Sequence, residues 1–333
     1  MSDVPGIGKR IPDPDKKVSS QQAEGYRMKA RLTLFVLAFF LVSSFAFAGT
    51  YENGISALNK KLYKKAFKLF GQDAKQGNPQ SQYRLGMMYH QGQGIKKDYA
   101  KAVYWCDLAA RQGLPEAQYH LGMMYQSGLG VAKDDRQAID WLETASNQGN
   151  AEAQYQLALM YHNGQGMPQD YEQAAGYYEL AAKQKFAKAQ TALGLFYADG
   201  LGGKPRDIKE AASWFDLAAN QGDPQGQYNL GLLYEKGKGV PQNYALAAHW
   251  YKLAARQGDH SAQNNLGFMY YNGKGVPKDH IISYALFSIA YDNGNADAFQ
   301  NCYIAASDLP PKSHQKAKVL ASNPRKLFSM IGE

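Results

Sequence analysis

A unit of 36 residues recurs along this chain, and this periodicity restricts the fold more than any other feature of the sequence. The segment AEAQYQLALMYHNGQG from Ala151 closely matches PEAQYHLGMMYQSGLG, which starts 36 residues earlier at Pro115. The six units begin at Pro79, Pro115, Ala151, Ala187, Pro224 and His260. One step is 37 residues long, and its extra residue falls in the glycine loop 200–203. Repeats of this length are typical of solenoids, in which each unit packs on its neighbours.

Each unit has the pattern of two helices joined by a glycine turn. In the unit from Pro115, apolar or small residues at Ala117, Leu121 and Met124 have helical spacing, and the proline suits a first turn. A Gly-x-Gly turn follows, and the second helix begins near an Asp or Asn that suits an N-cap. These capping positions are Asp98, Asp135, Asp170, Asp207, Asn243 and Asp279. The periodicity therefore predicts one helix-turn-helix per unit.

Glycine also recurs inside the first helix of the units, where it costs about 1 kcal/mol relative to alanine. These positions are Gly86, Gly122, Gly194, Gly231 and Gly267, with Ala158 in the third unit. A small residue kept in unit after unit predicts a close approach of the second helix. We expect a Trp or Tyr of that helix to lie over the gap. All four tryptophans (Trp105, Trp141, Trp214 and Trp250) share one position of the repeat, which supports the 36-residue period.

The pattern A-x-Q-Y-x-L-G-x-x-Y-x-x-G-x-G, followed by D-Y-x-x-A-x-x-W-Y-x-x-A-A-x-Q-G, resembles the Sel-one-like repeat family, a relative of the tetratricopeptide repeats. The resemblance covers residues 79–294 as six full units. It implies an all-α fold, a right-handed α/α superhelical solenoid of about six 36-residue helix-turn-helix repeats plus terminal caps. It also implies a non-enzymatic scaffold for protein complexes.

The segments that flank the six units have weaker patterns. Residues 49–78 resemble a shortened, tetratricopeptide-like capping unit without the Gly-x-Gly turn. Residues 295–321 have the pattern of C-terminal capping helices, and 322–333 have none, which predicts a loose tail. Caps of this kind cover the apolar faces that the end of an array would otherwise expose.

The N-terminal region has the features of an export signal. Arg27, Lys29 and Arg31 precede an apolar run, and Ala46-Phe47-Ala48 suits signal peptidase. We expect residues 28–48 to be a signal peptide cleaved after Ala48, which places the protein in the periplasm or outside the cell. An uncleaved anchor over residues 32–48 is the alternative. Residues 1–27 form a polar extension. Translation could start at Met1 or at Met28, and the sequence does not decide between the two.

Several classes of site are not expected. Cys106 and Cys302 are more than five repeats apart, too far for a disulfide within the chain, and Cys106 is expected to be a small buried hydrophobe. The histidines are dispersed, and no nucleophile motif is present. We therefore predict no catalytic residue, no metal site and no cofactor. A branch of the family linked to penicillin binding and weak β-lactamase activity carries a cysteine pair in each unit, which this chain lacks.

Three rows of equivalent positions on the first helices are candidates for a partner-binding groove, because first helices line the concave face of tetratricopeptide-like solenoids. The tyrosine row is Tyr83, Tyr119, Tyr155 and Tyr228, assigned equally to core and groove. The variable row includes Arg84, His120, Gln156, Asn229 and Asn265, and we expect it to be exposed. The apolar row is Met87, Met123, Leu159, Leu195, Leu232 and Phe268, assigned mainly to the core.

The net charge of +8 suggests a second kind of partner. A basic cluster in the opening unit consists of Lys60, Lys61, Lys64, Lys65 and Lys68. It could meet an acidic glycan or a membrane surface, or simply make a soluble cap. The expected partners are therefore one or more proteins or peptides, with acidic glycan or lipid headgroups as the alternative. Nucleic acid is excluded mainly by the export signal.

The resemblance and the signal together predict an adaptor of the bacterial envelope or secreted space. Members of the family serve in envelope assembly, in polysaccharide export and on surfaces that engage host cells. The functions that the resemblance implies therefore include a role in virulence. The partner is not specified by the sequence, nor is the oligomeric state.

Overall fold

A computed structural model of the chain describes residues 49–332. These residues form helices, turns and loops without a strand, so the all-α prediction is confirmed. They divide into two compact units, residues 49–97 and residues 98–332. No helix within 49–332 has the length and apolar composition needed to cross a membrane. The predicted signal peptide or anchor lies outside the described residues.

The first unit contains three helices. These are α1 (49–59), α2 (Tyr63–Ala74) and α3 (Pro79–Gln91). In place of a Gly-x-Gly turn, residues 60–62 join α1 to α2, and Lys61 adopts a left-handed φ of 58°. A Cβ on Gly54 would lie 2.5 Å from the ring of Phe70, so the two helices approach closely.

The second unit continues the pattern with fourteen helices. They are α4 (Tyr99–Arg111), α5 (Pro115–Ser127), α6 (Asp135–Asn147), α7 (Ala151–Asn163), α8 (Tyr171–Lys183), α9 (Ala187–Asp199), α10 (Ile208–Asn220), α11 (Pro224–Lys236), α12 (Tyr244–Arg256), α13 (His260–Asn272), α14 (His280–Asp292), α15 (Ala298–Ser307), α16 (Pro311–Ala321) and α17 (Pro324–Met330). Helices α3, α5, α7, α9, α11 and α13 are the first helices of the repeats, and α4, α6, α8, α10, α12 and α14 are the second helices.

Local capping explains where the repeated helices begin and end. The second helices begin after an Asp or Asn whose side chain accepts backbone N–H bonds, and in α6 this N-cap is Asp134, one residue before the predicted Asp135. Each first helix ends at the first glycine of the turn, which has a left-handed backbone, as at Gly128 with φ 69°. These signals act within a few residues, which is why the sequence predicts them well.

The helix-interior glycines do receive a side chain of the second helix, as predicted, but the tryptophans do not supply it. A Cβ on Gly194 would lie 2.6 Å from the ring of Phe215, and one on Gly267 would lie 2.7 Å from the ring of Phe287. At Gly122, Gly194, Gly231 and Gly267 the residue that follows the Trp position fills the gap. Trp250 lies half-buried against Ala211 and the residues around it. Of the two residue types expected over the gap, Tyr is confirmed at Gly231, where an added Cβ would lie 2.9 Å from the ring of Tyr251. Trp lies over none of these four glycines, because one residue along a helix rotates the side chain by about 100°.

The second glycine of the turn is the point where successive repeats meet. A Cβ on Gly239 would lie 2.6 Å from the carbonyl oxygen of Ile208, at the start of the second helix of the preceding repeat. A Cβ on Gly166 would lie 2.6 Å from the Cβ of Asp135 in the same arrangement. The turn therefore does more than reverse the chain, because its second glycine lets one repeat lie directly on the next.

A row of buried glutamines, here called the glutamine ladder, also joins successive repeats. The side chain of Gln227 donates to the carbonyl oxygen of Ala219 in the preceding repeat (3.2 Å) and accepts from Gln257 in its own repeat (2.9 Å). The same pair of bonds forms at Gln118, Gln154, Gln190 and Gln263. Buried amides cost free energy unless they are paired, so the ladder fixes how each repeat sits on its neighbour.

We expect the substitution Gln227→Leu to lower the free energy of unfolding by about 1–2 kcal/mol, because it removes two buried hydrogen bonds while it keeps the side-chain volume. Gln225→Leu on the exposed face of the same helix is the matched control, and it is expected to change stability by less than about 0.5 kcal/mol. Urea unfolding followed by circular dichroism measures both. Equal effects of the two substitutions would contradict a structural role for the ladder.

The C-terminal segment departs from the repeat. Residues 322–333, for which the sequence predicts a loose tail, include α17, and its Leu327 and Phe328 are buried. The backbone oxygen of Ile331 accepts a hydrogen bond of 2.8 Å from Lys252 on α12. Two apolar side chains in a short polar segment were too weak a pattern for a helix prediction, and only packing against α12 and α14 orders the segment.

Candidate functional site

Two pockets open between successive first helices of the second unit, and the predicted rows line both. A pocket of about 700 Å³, here called the α9 pocket, is lined by Tyr155, Leu159, Leu195 and His162 among others. A pocket of about 480 Å³, here called the α13 pocket, is lined by Tyr228, Leu232, Asn265 and Phe268 among others. Each pocket therefore combines members of the predicted rows from neighbouring repeats.

Leu159, Leu195, Leu232 and Phe268 of the apolar row line these pockets, and the ring of Phe268 also packs on the buried ring of Phe287. Leu195 is 39% exposed and Phe268 is 41% exposed, and the other members are partly buried. The assignment to the core is right only in part, because Leu159 and Leu232 pack against buried clusters while they also line the openings between repeats.

The tyrosine row serves both core and groove. Tyr155 packs against Tyr178 and Phe186, with ring centroids 5.8 and 5.3 Å apart, while it also lines the α9 pocket. Burial raises the pKa of Tyr155 above its usual value, and the charge of Asp223 adds to the shift. The pKa of Tyr119 is raised by burial and then by Glu152. Both phenols stay neutral, and Tyr155 can donate a hydrogen bond at the wall of the α9 pocket.

The α9 pocket has polar groups beside its apolar wall. The hydroxyl of Thr191 donates to Asp223 at 2.7 Å, and the same carboxylate oxygen accepts the N–H of Gly226 at 2.8 Å. His162 packs its ring edge-on against Phe196, with centroids 5.5 Å apart. Its Nδ1 is buried and has no hydrogen-bond partner within residues 49–332. The pocket can therefore hold an apolar side chain and also form hydrogen bonds at its edge.

The α13 pocket is built around a hydrogen-bonded triplet. The buried hydroxyl of Tyr251 donates to Glu235 at 2.7 Å and accepts from the side-chain amide of Asn265 at 3.1 Å. Burial, and then the bond to Glu235, raise the pKa of Tyr251 far above its usual value. Lys236 and Lys274 also line this pocket. The triplet fixes Asn265 and Glu235 in place and leaves Phe268 as the main apolar surface.

The variable row differs in exposure along the chain. In the first unit Arg84 is partly buried and lies over the ring of Tyr83, 5.8 Å from its centroid. In the second unit His120 and Gln156 are partly buried, and Gln156 donates to Gln126 at 3.0 Å.

Asn229 is 9% exposed, so its prediction as an exposed groove residue is wrong. Helix α11 packs directly on α9 at this point. This close approach is possible because Gly226 stands where the other repeats carry a small side chain, and a Cβ on Gly226 would lie 2.9 Å from the hydroxyl of Thr191.

The predicted basic cluster is exposed in the first unit. Lys60 and Lys61 lie in the loop between α1 and α2, and Lys64, Lys65 and Lys68 lie on α2. Lys60 and Lys65 line a shallow pocket of about 390 Å³ together with Leu62 and Leu69. The lysines form one surface of the opening helix pair, and their role as a binding site stays a prediction.

The cysteines are both free, as predicted. Cys106 is fully buried, and burial raises its pKa to about 12, which keeps the thiol protonated. Within residues 49–332 no three His, Cys, Asp or Glu side chains come together in a way that could hold a metal ion.

Sequence comparison identifies the repeat. The profile of the Sel1 repeat matches residues 47–78, 79–114, 115–150, 151–186, 187–223, 224–259 and 260–295. The opening helix pair is thus matched as a repeat as well, in spite of its shorter turn. A comparison with curated protein sequences gives no match.

Similar solved structures come from several bacteria. A Sel1 repeat protein from Oxalobacter formigenes is 30% identical with a TM-score of 0.66, and the alignment covers 72% of this chain and 96% of that one. A protective antigen of uropathogenic Escherichia coli strains, which displays the same repeat fold, is 25% identical with a TM-score of 0.48, covering 85% of this chain and 84% of that one. An immunity protein from Pseudomonas aeruginosa is 19% identical with a TM-score of 0.43, covering 63% and 81%.

Sel1 repeat proteins are generally scaffolds for protein–protein interaction. The seven matches are consecutive, and they include the positions that carry the glycine turns, the helix-interior glycines and the glutamine ladder. From residue 47 to residue 295, the chain therefore belongs to the Sel1 repeat family.

Proposed function

We propose that this protein is a non-enzymatic adaptor that binds a segment of a partner protein along the first helices of its second unit. The observation that carries the proposal is the apolar row, whose Leu195 and Phe268 are about two-fifths exposed at the mouths of two neighbouring pockets. Apolar side chains that remain exposed beside fixed polar groups are typical of recognition surfaces.

The chemistry of the two pockets favours a partner with apolar anchor side chains. Leu159 and Leu195 of the α9 pocket, and Leu232 and Phe268 of the α13 pocket, would take these anchors. Asn265 and the edge of His162 would pair with backbone or polar groups of the partner. A rigid array can present such sites in series without any catalytic geometry.

The adaptor is proposed to act in the bacterial envelope or in the secreted space, in envelope assembly or in contact with a host. This part of the proposal rests on the basic, apolar and small-residue segments of residues 27–48. Acidic glycan or lipid-headgroup binding by the exposed lysines of α2 is the alternative that the charge of the first unit supports.

The test is an affinity capture from envelope extract with the full chain and with the double variant Leu195→Asp/Phe268→Asp. Each carboxylate places a charge where we expect an apolar anchor, so specific partners should be recovered at least about tenfold less, as for the loss of one interface hot spot. Quantitative mass spectrometry of the captured proteins is the readout.

The matched control is Leu180→Asp/Leu217→Asp on the second helices, where both leucines are 48% exposed. This control should keep the partners, because it places two carboxylates at exposed apolar positions away from the two pockets. Recovery of the same proteins by all three chains would contradict partner binding at the two pockets. If the chain instead retains only glycan or lipid that modest salt releases, and Lys64→Gln/Lys65→Gln/Lys68→Gln abolishes this, the alternative replaces the adaptor.

A further inference from the structure

The two pockets are equivalent openings of the array, but they differ in the charge at their rims. The α9 pocket lies between α7 and α9, and the α13 pocket lies between α11 and α13, two repeats later. Counted along the repeat, Asn163 and Leu201 of the α9 pocket correspond to Lys236 and Lys274 of the α13 pocket. The two ammonium groups are therefore a property of the α13 pocket and not of the repeat.

Both lysines are available to a partner. Lys236 ends α11, Lys274 lies in the glycine turn after α13, and both side chains are exposed. The ammonium group of Lys274 lies over the ring of Tyr244, 5.4 Å from its centroid. Among residues 49–332, neither lysine forms a salt bridge with a carboxylate. Of the described residues that line this pocket only Glu235 is acidic, and its carboxylate already accepts the hydroxyl of Tyr251 at 2.7 Å.

The lysines stand beside an apolar wall that is fixed in place. The ring of Phe268 packs edge-on against the buried ring of Phe287, with centroids 5.0 Å apart, and its other side faces the pocket. Leu232 lies on the opposite helix and completes the wall. At about 480 Å³ the cavity is at the small end of ligand pockets, which suits an anchor side chain.

This combination selects the charge of the partner. A segment that covers Phe268 also removes water from the two ammonium groups next to it, and a charge that loses water costs free energy unless it is paired. A basic segment would add repulsion, and a neutral one would leave both ammonium groups without a counter-charge. An acidic side chain next to the apolar anchor meets both requirements.

The α9 pocket does not favour the same acidic residues. Its rim carries Asp199 together with the uncharged Asn163 and Leu201. Repulsion from Asp199 disfavours a carboxylate of the partner at this rim. A segment that spans both pockets therefore binds in one direction, with its acidic part at the α13 pocket.

We propose that the α13 pocket recognises a protein segment in which an apolar anchor side chain is flanked by Asp or Glu. The anchor packs on Phe268 and Leu232, and the neighbouring carboxylates pair with Lys236 and Lys274. This inference rests on the proposed adaptor function, since it names the chemistry of the segment that the adaptor binds.

Fluorescence anisotropy of the full chain with labelled synthetic peptides tests this recognition. The first peptide carries a central Leu-Phe pair between Glu and Asp residues, and its C-terminus is amidated so that only side chains supply carboxylates. It should bind about fivefold more tightly than a peptide with Gln and Asn in place of the acids, and a peptide with Lys and Arg there should bind more weakly still. The acidic peptide with Ser-Ser in place of Leu-Phe should lose about tenfold or more.

A charge reversal assigns the preference to the two lysines. In the variant Lys236→Glu/Lys274→Glu the order should invert, so that the basic peptide binds most tightly. The matched control is Arg136→Glu/Lys209→Glu, at equivalent exposed positions of the second helices α6 and α10. It changes the net charge by the same amount and should keep the order of the native chain. Circular dichroism verifies the fold of both variants.

The outcomes separate this inference from the adaptor function. If acidic and neutral peptides bind equally and Phe268→Asp abolishes both, the groove stands and the acidic partner is wrong. If Phe268→Asp leaves peptide binding unchanged, the groove itself is wrong. Equal binding of the acidic peptides with and without Leu-Phe would also overturn the inference, because charge alone would then suffice, as for an anionic lipid or glycan surface. Inversion of the order by the control, or no binding of any peptide, would overturn it as well.

Discussion

Replacing Gly239 by alanine is expected to lower the free energy of unfolding by about 2–5 kcal/mol, a large effect for one added methyl group. The residue has a φ of 71°, and a left-handed backbone costs an L-residue about 1–2 kcal/mol. The new Cβ would lie 2.6 Å from the carbonyl oxygen of Ile208. Ile208 directly follows the N-cap Asp207, whose side chain fixes the start of α10. Relief of the clash must therefore separate two repeats, at a further cost of about 1–3 kcal/mol.

Gly222→Ala is the matched control for this prediction. Its φ is 88°, and nothing lies within 4 Å of the added Cβ, so only the backbone strain remains. We expect a loss of about 1–2 kcal/mol for this control. Urea unfolding followed by circular dichroism compares the two variants. Equal losses would mean that the second glycine of the turn is needed for its conformation alone and not for the contact between repeats.

Phe215→Ala is expected to lower the free energy of unfolding by about 3–5 kcal/mol. The side chain is 2% exposed and lies against Gly194, where no other group can fill the space that it leaves. Phe215→Leu should cost much less. In the repeat that begins at Pro115, Leu142 lies against Gly122 in the same way. Thermal unfolding by calorimetry or circular dichroism measures the series.

Leu217→Ala on the same helix is the control for helix propensity and for loss of apolar area. Leu217 is 48% exposed, so its truncation should change stability by less than about 1 kcal/mol. If Leu217→Ala were as costly as Phe215→Ala, the gap over Gly194 would not be the main contact between the two helices of a repeat.

Much of the fold can be predicted from the sequence because its signals are local and are repeated. The helix ends follow from an Asp cap such as Asp170 and from a left-handed glycine such as Gly164, which act within one turn of helix. The close approach at Gly194 follows from the repetition of a costly residue. The identity of the side chain over that gap does not follow, since Trp214 and Phe215 are both large and differ only in direction.

The candidate site is predicted only in part, for a different reason. Repetition identifies positions that face the same way in successive repeats, and Tyr155 and Asn265 each line a pocket between first helices. Exposure depends on the distance between neighbouring helices, which no single repeat determines. Gly226 brings α11 close to α9 and buries Asn229, whereas Phe268 at an apolar position stays exposed.

The sequence alone determined the helical class, the length of the repeat, the helix-ending turns and the family, because each depends on residues within one 36-residue unit and is repeated along the chain. Only the tertiary structure decided which apolar side chains are buried, which line the pockets, and that α17 packs against α12 and α14. The physical reason is that the burial of a side chain is a property of the space between elements. Local hydrogen bonds and backbone preferences define the elements, and their packing defines that space.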